Sequence, residues 1–122
     1  MAKKGNKLLG KWGEELAQHW LIDQGLEYVV GSYRTPHGEI DLIMKDLDQT
    51  VFVEVKTRTN TILGFPEVAI NNKKFTHILD SAAFYFQQNP GLAEYWRIDV
   101  VAIIGTPKTN SPDIHWFKNV HP

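Results

Sequence analysis

The chain of 122 residues contains no cysteine. Disulfides, zinc-thiolate sites and thiol nucleophiles are therefore excluded, and the composition fits a reducing cytoplasm. Long apolar runs are also lacking: no segment approaches the roughly 20 residues that a membrane helix needs. The positively charged start, Met1-Ala2-Lys3-Lys4-Gly5-Asn6-Lys7, is not followed by an apolar stretch of signal-peptide length. The expectation is a cytoplasmic protein with no membrane partner. Nor is there an excess of one charge. Lys and Arg number 13 against 14 Asp and Glu, a formal net charge of -1, so the molecule as a whole is not a basic nucleic-acid binder. Local clusters remain, with Lys3, Lys4, Lys7 and Lys11 near the start and Lys73 and Lys74 adjacent. Such clusters steer phosphate backbones even on a near-neutral protein, although the first seven residues read more simply as a solvated tail.

With 43% hydrophobic and 22% charged residues, the composition is that of an ordinary soluble globular protein. The length suits one domain, residues 1–122, with a core that needs no staples. Residues 8–24 repeat apolar side chains at helical spacing (Leu9, Trp12, Leu16, Ala17, Trp20, Leu21), and Gly25 is a stop signal. Residues 27–34 read as a strand, and Thr35-Pro36-His37-Gly38 as a turn. Two further strands follow, with 45–50 as the loop between them. Residues 57–64 form a polar loop, and 65–67 open a short helical turn. A second helix is expected over 72–88, with Phe75, Ile78, Leu79, Ala82, Ala83 and Phe86 as its apolar face. Residues 95–104 make a strand buried on both faces, and 114–117 a last edge strand. The order predicts an α/β fold, a central mixed β-sheet flanked by helices.

Chemistry concentrates on the two central strands. Gly38-Glu39-Ile40-Asp41-Leu42-Ile43 carries Asp41, and Val51-Phe52-Val53-Glu54-Val55-Lys56 carries Glu54 and Lys56. Alternation sends Glu54 and Lys56 to one face, about 7 Å apart. A fold-back centred near Leu47 and Asp48 sets Asp41 across from Glu54, with Cβ atoms about 5 Å apart. Two carboxylates at roughly 4 Å repel by about 4 kcal/mol at an effective dielectric near 20. Lys56 offsets part of this, and a hard divalent cation would offset more. The plain alternative is a solvent-facing hairpin with ordinary alternating charges. Trp12, Trp20, Trp96 and Trp116 read as core rather than as base-stacking platforms. His19, His77, His115 and His121 show no shared metal spacing.

The motifs resemble those of a YraN-type family of small bacterial proteins. Gly10-Lys11-Trp12-Gly13-Glu14-Glu15-Leu16-Ala17 is similar to that family's opening helix. The Gly38–Ile43 and Phe52-Val53-Glu54-Val55-Lys56-Thr57-Arg58 segments are similar to its two central motifs. Gly64, Pro66, Ala69 and Lys74, then Arg97-Ile98-Asp99-Val100-Val101, then Ile114, His115 and Asn119 extend the resemblance over nearly the whole chain. That family in turn resembles the PD-(D/E)xK nucleases and, within them, the archaeal Holliday-junction resolvases. The literal Pro-Asp is absent, since Ile40 precedes Asp41.

The resemblance implies a restriction-endonuclease-like core and metal-dependent cleavage of phosphodiester bonds in nucleic acid, with DNA, including branched DNA, as the first candidate. Catalysis then falls to Asp41, Glu54, Lys56 and Glu14. Asp41, Glu54 and the Val55 carbonyl would hold Mg2+ (or Mn2+), and Lys74, Arg34 and Arg58 would contact phosphate. A homodimer is expected by the same analogy, because two strands cut symmetrically call for two sites. Several of these residues also have structural readings: Glu14 as a helix-start carboxylate, Lys74 as a solvated helix charge, and Arg34 with Asp99 as an ion pair. Two other functions compete with hydrolysis. One is a non-catalytic nucleic-acid-binding module that keeps the nuclease fold. The other is a structural or protein-interaction role.

Overall fold

The computed structural model describes residues 2–62, 70–92 and 95–122, with backbone alone for 2–6. Helix α1 (Ala2–Asp23) begins earlier than the periodicity predicts and ends before Gly25, whose φ of 104° only glycine adopts readily. Strands β1 (Glu27–Thr35), β2 (Gly38–Asp46) and β3 (Gln49–Arg58) follow as an antiparallel meander. Helix α2 (Asn72–Gln88) then crosses over to β4 (Trp96–Ile104), which lies parallel to β3, and β5 (Asp113–Phe117) pairs antiparallel with β4. Among the described residues the sheet has the order β1-β2-β3-β4-β5. This is the α/β fold with a mixed sheet between helices that the pattern predicts. No helix among the described residues is long and apolar enough to cross a membrane.

The β2–β3 connection is tighter than expected. Asp46 pairs with Gln49, so only Leu47 and Asp48 turn the chain, in place of a loop over 45–50. Leu47 takes a left-handed conformation (φ 56°) and stands 88% exposed at the tip. The sequence concealed this because it offers no Asn-Gly or Asp-Gly pair, the usual signal for a two-residue hairpin. The fold-back is nonetheless centred where the alternation placed it.

Two apolar layers hold the sheet. On one face, Ala17 and Leu21 of α1 pack with Leu42, Met44, Val51, Val53, Val101 and Ile103. Trp12, Trp20 and Trp116 pack against this layer, in keeping with their reading as core. On the other face, Ile78, Ala82 and Tyr85 of α2 pack with Ile40, Ile43, Phe52, Ile98 and Val100. The buried face of α2 is rotated from the one expected: Ser81 and Tyr85 are buried, while Leu79 and Ala83 are exposed. The rotation is permitted because Ser81 shares a 2.9 Å hydrogen bond with Thr35, and Tyr85 packs edge-on against Tyr33 and Phe52. The expected turn over 65–67, and Gly64, Pro66 and Ala69, lie outside the described residues, as do the side chains of Lys3 and Lys4.

Helix α1 crosses β3 closely at Gly13. A Cβ there would run into the Thr57 hydroxyl, with Thr57 Cβ and Cγ2 each 3.2 Å away. The missing side chain thus sets the height of α1 over the sheet, and with it the reach of Glu14. Gly13→Val is expected to destabilise the fold by about 1–3 kcal/mol through overpacking. Urea denaturation measures this, and an unchanged midpoint would show that the helix rides up at no cost.

Candidate metal centre

The strand alternation of β2 breaks at Asp41. Leu42 belongs to the α1-side layer and Ile40 to the α2-side layer, although residues two apart on a strand normally share a face. Their partners on β1, Gly31 and Tyr33, flank Ser32, which has a φ of 49°. Both strands therefore turn over at this step. The β2–β3 ladder stops at Leu42 and Val53, one rung before Asp41 would meet Glu54. In place of that rung, the Val55 N–H donates to Asp41 Oδ2 at 2.8 Å. A side chain that bonds the neighbouring backbone is open to groups from both faces of the sheet.

Those groups arrive from three elements. Glu14 on α1, Glu39 on β2 and Asp41 each offer a carboxylate oxygen, and the three oxygens lie within 4.8 Å of one another. Glu54 faces the α2 side, where Lys74 Nζ pairs with its Oε2 at 3.3 Å. Lys74 is held in the first turn of α2 because the Asn71 side chain caps the helix by accepting from the Lys74 N–H at 2.8 Å. Lys56 is close enough to Glu54 to favour its ionised form.

The electrostatics record the crowding. Burial, then the nearby Glu54, then Glu14, push the Asp41 carboxyl up to about 7, against 3.8 in the open chain, despite the opposing Val55 N–H and Lys74. Burial likewise raises Glu54, which Lys74 and Lys56 pull back. Glu14 is raised by burial and by Glu39 and Glu54, and its hydrogen bond from Ser32 (3.4 Å) works the other way. Glu14, Glu39 and Asp41 around one point, with Glu54 near Asp41, form a set of hard oxygen donors, which suits a divalent metal of the Mg2+, Mn2+ or Ca2+ type.

Of the site residues expected from sequence, Asp41, Glu14, Glu54, Lys56 and Lys74 come together here, and Val55 joins through its N–H. Glu39, whose part in the site the sequence left undecided, belongs to the cluster, and its two-residue spacing from Asp41 was the available signal. Two basic residues stand apart. Arg34 is 85% exposed at its side chain and meets Glu39 loosely at 3.9 Å. Arg58 is exposed at the end of β3 and donates to the Thr57 carbonyl at 3.0 Å. The reading of Arg34 with Asp99 as an ion pair is corrected: Asp99 bonds Arg97 from the same strand, two residues away, at 3.0 Å. Residues i and i+2 share a strand face, so the nearer arginine takes the buried carboxylate.

The model of the uncharacterised protein family UPF0102 matches residues 13–103. The chain belongs to this family. A UPF0102 protein of Shewanella denitrificans is 47% identical over 96 residues, covering 79% of this chain and 88% of its own. One from Beutenbergia cavernae is 40% identical over 98 residues (80% and 83%), and one from Caldicellulosiruptor bescii is 38% identical over 114 residues (93% and 96%). The matched UPF0102 region contains Glu14, Asp41, Glu54, Lys56 and Lys74. Among solved structures, Pyrococcus furiosus SfsA, determined in complex with Ca2+, aligns with a TM-score of 0.43 at 13% identity, covering 96% of this chain and 65% of that one.

Proposed function

We propose that this chain is a divalent-metal-dependent nuclease, a single endonuclease-like domain that hydrolyses phosphodiester bonds of nucleic acid. The observation that carries the reading is the convergence of Glu14, Glu39 and Asp41, with Glu54 beside them, at the point where β2 and β3 part. Like charges gathered and partly buried in this way are costly unless a cation joins them. In this reading Asp41, Glu54 and the Val55 carbonyl would hold Mg2+ or Mn2+, with Glu14 and Glu39 as further oxygen donors. The bound ion supplies Lewis acidity and neutralises charge on the phosphate.

The protein's own groups do the rest. The Val55 N–H fixes Asp41 through its Oδ2, and the same carboxylate meets Glu14 and Glu39. Lys56 orients the attacking water and stabilises the negative charge that develops on the phosphate oxygens. Lys74, Arg34 and Arg58 are assigned to backbone phosphates on either side. DNA, including branched DNA, is the substrate the sequence motifs favour, and a two-fold pair of copies would present two such sites.

The test offers branched, single-stranded and duplex DNA, and RNA, to purified protein with Mg2+ or Mn2+. Asp41→Ala and Lys56→Ala are expected to lower cleavage about a hundredfold or more. Cleavage that persists unchanged in either variant overturns the assignment. Binding without turnover under every metal would favour the non-catalytic module instead.

A further inference from the structure

Strand β1 is irregular next to the carboxylates, and the irregularity exposes an aromatic ring. Residues three apart on a regular strand point to opposite faces. Tyr28 and Gly31 nonetheless share a face, because Val29 is a bulge: Tyr28 pairs with Met44 and Val30 with Ile43. A Cβ on Gly31 would lie 3.1 Å from the Tyr28 hydroxyl, so the tyrosine reaches across the bare glycine backbone. Tyr28 is 44% exposed. It lines a hollow of about 210 Å³ together with Ser32 and Asp41 and with one face of α1, including Lys11, Glu15 and Gln18.

We propose that this hollow receives one unpaired nucleobase of the nucleic acid, stacked on Tyr28, beside the phosphate positioned at Asp41. Its chemistry selects a base over the backbone. Without a cation, Glu14, Glu15 and Asp41 on its walls repel phosphate, and a nucleobase carries no charge. Lys11, the one cation among the lining residues, suits the phosphate next to that base. The Gln18 amide and the Ser32 hydroxyl supply the donor and acceptor groups that a base edge needs. The volume takes a single ring system and excludes a stretch of helix, so a base must leave its stack to enter. Strands with an unstacked nucleotide are therefore preferred over continuous duplex. The place of the phosphate rests on the nuclease reading, whereas the stacking does not.

The experiment measures binding of a short oligodeoxynucleotide carrying a fluorescent adenine analogue, single-stranded and as duplex, without turnover in EDTA. Tyr28→Ala is expected to weaken single-strand binding about tenfold to a hundredfold and to abolish quenching of the analogue, with duplex binding nearly unchanged. Tyr28→Phe, which keeps the ring and the fold, is expected to retain both. Equal binding of single strand by Tyr28→Ala and the parent, equal losses on single strand and duplex, or no binding by the parent each overturns the proposal. Quenching by Tyr28 in a parent that never cleaves would leave the stacking standing and remove the hydrolytic function. Cleavage whose strand preference ignores Tyr28→Ala would do the reverse.

Discussion

Asp41→Asn is expected to raise the melting temperature of the metal-free protein at pH 8 by about 10 °C and to abolish the further rise that Mn2+ gives the parent. The sign follows from the direction of the shift. Asp41 ionises near 7 in the fold and at 3.8 in the open chain. Between those values the folded state holds a proton that the unfolded state has released, so stability falls as pH rises through the window and levels off above about 7. At ~1.4 kcal/mol per unit, the cost at pH 8 is on the order of 4 kcal/mol. Asparagine carries no charge and keeps a carbonyl oxygen for the Val55 N–H, so most of that cost disappears. In the proposed reading the parent would recover it by binding a cation. A cation that binds only the folded state stabilises by about 2.7 kcal/mol at a hundredfold excess over its Kd. Calorimetry at pH 5 and pH 8, with EDTA and with Mn2+, reads all of this. An Asn variant less stable than the parent at pH 8 would refute the crowding argument. A parent indifferent to Mn2+ would instead leave the hairpin as a solvated charged face, the structural role weighed from sequence.

The same residue shows where sequence reasoning reached and where it stopped. Period-two alternation located β2, β3 and the axis of their hairpin, because that signal depends only on which residues face the core. It also set Asp41 directly across from Glu54, a rung that the ladder, which stops at Leu42 and Val53, does not form. It carried no information about the change of face at Ser32 and Asp41. That turnover depends on a left-handed Ser32, a conformation that serine rarely adopts and that no composition rule flags. The carboxylate therefore bonds the Val55 backbone instead of standing squarely opposite Glu54, and α1 brings Glu14 to it from the other side of the sheet. Glu54 pairs with Lys74 of α2, a contact between two elements that strand alternation does not register. Helix α2 was legible in extent and less so in orientation, because buried Ser81 and Tyr85 carry polar groups that an apolar count assigns to solvent.

Asp99→Ala is expected to cost about 3–5 kcal/mol, a third or more of the stability of an ordinary domain, with no direct effect on the carboxylate cluster at Asp41. Asp99 is fully buried. Its two oxygens accept from Arg97 Nε at 3.0 and 3.2 Å, from Arg97 Nη2 at 3.1 Å, from Trp116 Nε1 at 2.9 Å and from the Asn119 N–H at 2.9 Å. Arg97 continues to Gln49 at 2.6 Å and to Asp46 at 3.0 Å. One carboxylate thus ties β4 to the β2–β3 turn and to the segment after β5, at the end of β2 remote from Asp41. Alanine removes the acceptor for several buried donors at once and leaves the guanidinium, among the described residues, with Asp46 as its anionic partner, which is why truncation costs far more than the pair contributes. Urea denaturation should show the midpoint falling steeply with little change in slope, and an unchanged midpoint would contradict the burial of this network. The contrast with Asp41 is the physical argument for separating the two aspartates. Asp99 has every oxygen matched to a donor, so its loss breaks the fold. Asp41 sits among other carboxylates, so its neutralisation is expected to relax the fold and to remove the arrangement that, in the proposed reading, calls for a cation.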